Sequence, residues 1–377
     1  MRNLPGVVGV AVALLAAAPM CPAADKPVLQ TELNEQVVRV PTGSWSGELE
    51  TTVFKPSGDG RFPLIVINHG KEHGDPRFQP RARYLVAARE FVQRGWVVVV
   101  PMRRGFAGSS GGYVDPGCNI ASNGRIQADD VTATLDYFAK QPYVDPSAII
   151  VAGQSHGGLT AMAVGVRNYP GVRGLINFAG GLKYDKFGCL WEAALTDAFA
   201  SYAKDTHVPS LWFYGDNDSY WGAELPKRMH REYVAAGGRA TLIAYGHFAG
   251  GDAHSMFYSP EGVAIWWPET ERFLKSLGLP VALAYPVSNT AIPPQTDFAK
   301  LDEIDAVPFL NADGRDGYRK FLAAKMPRAF AISAGGQWGW AFGGYDPLAR
   351  ALANCRAKGE SRCQLYSVDN SVVWIKP

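Results

Sequence analysis

The chain has 377 residues, of which 47% are apolar and 19% charged, so a large buried core is within reach and wholesale disorder is excluded. Lys and Arg number 37 against 35 Asp and Glu, a balance that leaves no broad field for nucleic acid or anionic lipid. The length suits one large domain with an appendage.

The chain opens like an export signal: Arg2, an apolar run over Gly6–Ala18, then small residues at Cys21, Ala23 and Ala24. The run is shorter than the roughly 20 residues that cross a bilayer. Residues 1–24 are therefore expected to be removed, with cleavage after Ala23 or Ala24, leaving a secreted or periplasmic protein with no membrane span. Four cysteines then remain, Cys118, Cys189, Cys355 and Cys363, an even count that favours disulfides in an exported chain. Three pairings are possible. Proximity favours Cys355 with Cys363, which leaves Cys118 for Cys189. No close Cys or His cluster suggests a metal, and no cofactor is expected.

From residue 45 onward, strands alternate with helices. Leu49–Phe54 alternates like a half-exposed strand, and Leu64–Asn68 is a short apolar run ending at His69-Gly70. Arg81–Arg94 has helical spacing and stops at Gly95, and Trp96–Pro101 carries four consecutive valines, as a strand buried on both faces does. Arg125–Lys140 is helical. Strands are predicted at Ala148–Ala152, Val172–Phe178, Ser210–Tyr214 and Ala240–Tyr245, and helices at Gly157–Val166, Ala223–Ala236 and Gly262–Leu277. This rhythm predicts an α/β fold, a mostly parallel central sheet with helices on both faces, over residues 25–279. Ligands of such sheets sit at the carboxyl ends of the strands.

Prolines at 280, 286, 293 and 294 mark a linker over 280–299, and a small C-terminal α+β unit is expected over 300–377. Its predicted helices are Tyr318–Lys325 and Leu348–Arg356, and its predicted strands Ala329–Ser333, Gln364–Val368 and Val372–Ile375. The aromatic segment from Gln337 to Phe342 reads either as core or as a ligand platform.

Gly153-Gln154-Ser155-His156-Gly157 lies between a predicted strand and a predicted helix, where a serine hydroxyl is thrust up at the sheet edge. A serine attacks only when a base takes its proton and a carboxylate orients that base. Both partners are present in the order this turn requires. Asp216 and Asp218 follow one strand, with Asp218 preferred; His247 and His254 follow the next, and spacing barely separates them. The expected oxyanion donors are the backbone N–H groups of His156 and of Lys71 in His69-Gly70-Lys71. The imidazoles of His69 and His156 are expected to make local hydrogen bonds. Tyr184, Trp191, Tyr220 and Trp221 fall in loops at this face and are candidates for substrate contact. Asn217-Asp218-Ser219 fits a glycosylation sequon, a coincidence at this position.

These motifs, with Arg103-Arg104-Gly105 through Gly111 and Asp252 through Phe257, resemble the dienelactone-hydrolase-related branch of the α/β-hydrolases over residues 45–277. The resemblance implies Asp218 and His254 as the triad partners of Ser155. Dienelactone hydrolases proper use a cysteine nucleophile, so the lactone substrate does not carry over. The expected activity is that of a secreted serine carboxylesterase acting on a small-molecule or polymer-linked ester. The alternatives are a serine peptidase of the prolyl-oligopeptidase type, which carries a large extra N-terminal domain, and an inactive hydrolase-fold binding protein.

Overall fold

The computed structural model describes residues 29–376 apart from 44, 288–292, 343–346, 358, 360 and 361. The expected signal segment 1–24 and its cleavage point lie outside the described residues. Eight strands form one sheet: β1 (Gln36–Pro41), β2 (Glu48–Phe54), β3 (Phe62–Asn68), β4 (Val97–Pro101), β5 (Val144–Gln154), β6 (Val172–Phe178), β7 (Ser210–Tyr214) and β8 (Ala240–Ala244). Their spatial order is β1-β2-β4-β3-β5-β6-β7-β8, and every pair from β4 to β8 is parallel. The pairs β1/β2 and β2/β4 are antiparallel.

The valine run of β4 shows why such a strand reads as continuously apolar. Val97 and Val99 face one core, with α2 (Ile120–Phe138), α3 (His156–Gly165), α4 (Trp191–Ala203) and α5 (Glu224–Ala235). Val98 and Val100 face the other, with α1 (Leu85–Val92) and α6 (Val263–Ser276). Period two thus sends alternate side chains to opposite buried layers.

Four elements depart from the sequence reading. Helix α1 begins at Leu85 rather than near Arg81, because Tyr84 takes a left-handed conformation at φ 47°. Arg81 and Arg83 instead bind the buried Glu35 carboxylate. Strand β1 and helix α4 were not anticipated. Helix α2 reaches back to Ile120, started by the Asn119 side chain, which accepts from the Ser122 N–H at 3.0 Å.

The C-terminal unit holds α7 (Ala312–Ala323), β9 (Arg328–Ile332), β10 (Trp338–Phe342), α8 (Pro347–Arg356), β11 (Gln364–Val368) and β12 (Ser371–Val372). Its four strands, ordered β10-β9-β11-β12, are antiparallel throughout. Helices cover both faces, α8 on one and α7 on the other. Trp338–Phe342 of the aromatic segment is strand β10, and the Trp338 ring stacks on Phe330 at 5.9 Å, as a core residue does. The predicted strand Val372–Ile375 ends at Val372, as β12. The start of the expected linker is not slack: Trp96 Nε1 donates to Pro280 O at 3.0 Å, and the amides of Ala284 and Tyr285 donate to Gln93 O. Among the described residues, no helix is long and apolar enough to cross a membrane.

Two disulfides are present, Cys118–Cys189 and Cys355–Cys363, their partners 71 and 8 positions apart in sequence. The longer loop removes more freedom from the unfolded chain. Replacing Cys118 and Cys189 together by serine is expected to lower unfolding stability by roughly 2–4 kcal/mol, and the second pair less. Urea titrations of both variants check this, and equal midpoints for wild type and the first variant would contradict it.

Candidate active site

Between β5 and α3 the chain reverses within one residue. Ser155 holds φ 56° and ψ −125°, a conformation that L-residues avoid unless their surroundings impose it. The surroundings here do so. A Cβ on Gly153 would stand 2.0 Å from Gly157 O, and one on Gly157 would stand 2.0 Å from Asn68 O. Only glycines let strand, helix and the β3 end approach this closely. The Ser155 N–H donates to Phe178 O at 3.0 Å, and its carbonyl accepts from the Gly158 and Gly181 amides. The serine is therefore fixed at the rim of the sheet, partly open to solvent.

Asp218 lies in the loop after β7 and is 5% exposed. Its Oδ1 accepts from the backbone N–H groups of Tyr220 at 2.9 Å and Trp221 at 3.2 Å. His254, in the 3-10 turn Ala253–Tyr258, places Nδ1 at 3.0 Å from Asp218 Oδ2 and 3.1 Å from Oδ1. A carboxylate can only accept, so Nδ1 carries the proton and Nε2 is left as the basic nitrogen. Asp252 ties the two loops: it accepts from the His254 N–H at 2.9 Å and from Ser219 N–H and Oγ–H. Gln154 Nε2 donates to His254 O at 2.9 Å, fixing the imidazole loop to the residue before Ser155.

Asp216 and His247 are exposed, and neither lines the cavity that Ser155 and His254 share. The Asn217 carboxamide is engaged inside the loop, donating to Phe248 O and Gly251 O and accepting from the Phe248 N–H.

The loop after β3 passes against the serine. A Cβ on Gly70 would lie 2.8 Å from Gln154 Oε1 and 3.3 Å from Ser155 Cβ. Lys71 follows, and its amide makes no hydrogen bond among the described residues. The His156 amide is the first of α3, where no preceding turn supplies an acceptor.

The X-Pro dipeptidyl-peptidase (S15 family) model matches residues 46–227. Among solved structures, dipeptidyl peptidase 4 of Porphyromonas gingivalis aligns at 18% identity with a TM-score of 0.50, over 64% of this chain and 35% of that one. The acylaminoacyl peptidase of Pyrococcus horikoshii aligns at 17% identity and TM-score 0.50, over 68% of this chain and 43% of that one. The chain is a member of the α/β-hydrolase fold. A putative dienelactone hydrolase from Klebsiella pneumoniae aligns at 15% identity and TM-score 0.47, over 65% of this chain and 98% of that one. This chain thus spans well under half of the two peptidases, and no curated protein matches it in sequence.

Within this α/β-hydrolase fold, a cavity of about 670 Å³ holds Ser155 and His254 together with Lys71 and Tyr220. A second hollow on the other side of Ser155 is lined by His156, Tyr184, Tyr220 and Trp221. The Tyr220 ring lies 4.4 Å from that of His254. Trp221 is 5% exposed, and its Nε1 donates to Ala179 O at 2.7 Å. Trp191 is placed differently from the expectation. It opens α4, its ring backs Trp221 at 6.0 Å, and it lines a separate hollow that lacks Ser155. An unanticipated helix start carries it away from the serine. Arg350 of α8 also lines the Ser155 cavity, a contribution from the C-terminal unit that no motif signalled. Among the described residues, no group of His, Cys, Asp and Glu is arranged to hold a metal ion.

Below the rim, His69 and His156 are buried and bonded as expected. His156 Nε2 donates to Asn123 Oδ1 at 2.7 Å, and its Nδ1 accepts from Arg103 Nη2 at 3.1 Å. His69 Nε2 accepts from the Arg103 N–H at 3.1 Å, and Nδ1 donates to Gly70 O at 2.6 Å. Burial first, and the nearby Arg103 charge second, hold both imidazoles well below the usual histidine range. Unfolding frees them to take up protons below about pH 6.5. The unfolded state then binds more protons, so stability falls as pH drops, by up to about 1.4 kcal/mol per unit for each histidine. Urea midpoints are expected to decline from pH 7.5 to pH 5; a flat profile would contradict the buried neutral pair.

Proposed function

We propose that this protein is an exported serine hydrolase that cleaves a carboxylic ester through an acyl-enzyme on Ser155. The observation that carries this reading is the His254–Asp218 pair, with Nδ1 to Oδ2 at 3.0 Å and His254 lining the cavity of a serine held in a strained turn. His254 Nε2 takes the Ser155 hydroxyl proton as Oγ attacks the ester carbonyl carbon. The carbonyl oxygen becomes an oxyanion and is received by the Lys71 and His156 amides. Collapse expels the alkoxide, which takes the proton from His254 and leaves as an alcohol. Water, deprotonated by the same imidazole, then attacks the acyl-enzyme, and Ser155 regains its proton. Asp218 keeps the imidazole in the working tautomer throughout.

The domain assignment follows: residues 1–24 as signal, 25–279 as the catalytic domain, 280–299 as linker, and 300–377 as a smaller unit. The two disulfides fit an oxidising compartment. A peptidase reading is favoured by the S15 family match over 46–227. Against it, Lys71, Arg81, Arg83 and Arg350 line the Ser155 cavity opposite Glu72 and Asp252 among the described residues, with Glu35 bound behind Arg81 and Arg83. That balance disfavours the free α-ammonium group of a dipeptidyl substrate. Comparing kcat/KM for p-nitrophenyl acyl esters and for X-Pro p-nitroanilides decides between them. The ester reading expects esters to be preferred, and it fails if the anilides are turned over faster.

A further inference from the structure

Beneath the oxyanion loop sits a buried cation that the acyl-transfer steps leave unused. Arg103, two residues past β4, is 0% exposed. Its Nε–H donates to Gln127 Oε1 at 3.0 Å, and Nη2 donates to His69 O at 2.7 Å and to His156 Nδ1 at 3.1 Å. All of these acceptors are neutral, and Nη1 has no hydrogen-bond partner among the described residues. Asp130 feels this charge but gives its oxygens to the Arg104 N–H and to Trp45 Nε1. Phe106 closes the site, its ring 5.5 Å from the guanidinium and 4.6 Å from the His69 ring.

Burial lowers the Arg103 pKa to about 10, still well above neutral, so the group stays charged at neutral pH. For packing alone this is a poor choice. A buried cation without a bonded carboxylate destabilises a fold relative to an apolar side chain of similar volume. The location supplies a reason to keep it. The His69 carbonyl stands one peptide before the Lys71 amide, and His156 supplies the second amide. One nitrogen, Nη2, therefore joins the two segments.

Resting on the acyl-transfer reading above, we propose that Arg103 is a positioning residue of the oxyanion hole. It sets the spacing of the Lys71 and His156 amides, and its charge, bonded to no carboxylate, favours the anion that forms between them. Charge arranged in advance in a water-free layer acts on the transition state without reorganising during the reaction. The ground-state ester carries no such charge, so kcat responds and KM does not.

The test uses the full protein with Arg103→Met and Arg103→Lys, a p-nitrophenyl ester, and an acyl trifluoromethyl ketone that adds to serine as an oxyanionic adduct. Arg103→Met is expected to lower kcat by roughly 30–100-fold with KM within about threefold, and to weaken the ketone in proportion to kcat/KM. Arg103→Lys keeps the charge without the fork and is expected to lose less of both. A purely structural role would lower the melting temperature while leaving the kcat/KM and ketone ratios untied. If Arg103→Met does not fold, Arg103→Lys decides by the same paired ratios. Variants that keep wild-type kcat and ketone affinity overturn this proposal alone. A wild-type protein that neither hydrolyses the ester nor binds the ketone overturns the acyl-transfer reading and this proposal with it.

Discussion

Ser155→Ala is expected to lower kcat on an acyl ester by roughly 10⁵–10⁶-fold while leaving the protein folded. The rate loss follows from removing the only atom that becomes covalently bonded to the acyl group. What remains is the oxyanion site and binding, which sustain a small residual rate. The fold should survive because the elbow is imposed by its neighbours. Alanine at φ 56° is no more strained than serine there, and the backbone bonds to Phe178, Gly158 and Gly181 stay intact. Steady-state kinetics with a melting curve for the same sample check both halves. A variant that keeps more than about a hundredth of the rate would contradict the assignment.

The second large effect concerns the base and its carboxylate. Asp218→Asn is expected to lower kcat by about 10⁴-fold through the tautomer rather than through charge alone. In the native site, Oδ1 accepts from the Tyr220 and Trp221 amides while both oxygens face His254 Nδ1. An asparagine would keep its carbonyl on those amides and turn its NH₂ toward Nδ1. The ring must then accept at Nδ1, carry its proton on Nε2, and lose the lone pair that takes the serine proton. His254→Gln should cost as much as Ser155→Ala. His247→Gln and Asp216→Asn, at exposed positions, should stay near wild type. Measuring kcat/KM for all four variants separates the two histidines, and a larger loss at His247 than at His254 would reverse the choice.

The sequence was legible where local chemistry and global fold agree. The valines of β4 announce a strand buried on both faces, and the glycines around Ser155 announce a turn that no side chain would tolerate. The order of serine, aspartate and histidine followed the order of strand ends, because a parallel sheet delivers its loops to one rim. Elsewhere tertiary contacts override the local pattern. The apolar spacing over 81–94 looked helical, but Arg81 and Arg83 are pulled toward Glu35 and Tyr84 turns left-handed. Helix α4 lies in the long excursion between β6 and β7, whose run of aromatic and polar residues from Lys183 to Leu190 reads as loop. Trp191 therefore reads as a loop residue at the rim, whereas it opens α4 behind Trp221.

Supporting residues were harder to see than reacting ones. Asp252 could have been found, since an aspartate two places before a histidine at a turn caps that turn. Gln154 lies inside the elbow motif, yet nothing in the motif says that its amide holds the His254 carbonyl. Arg103 was visible only as one of two arginines before a glycine. Its role depends on three chain segments, carrying His69, Gln127 and His156, that meet only after folding.

The most direct measurement is covalent labelling of the native protein by a fluorophosphonate, followed by peptide mapping of the adduct by mass spectrometry. An activated hydroxyl, set between an imidazole and two waiting amides, should take up one phosphonyl group, and the modified peptide should carry it at position 155. A folded protein that stays unlabelled, or that carries its adduct on another residue, would contradict the account.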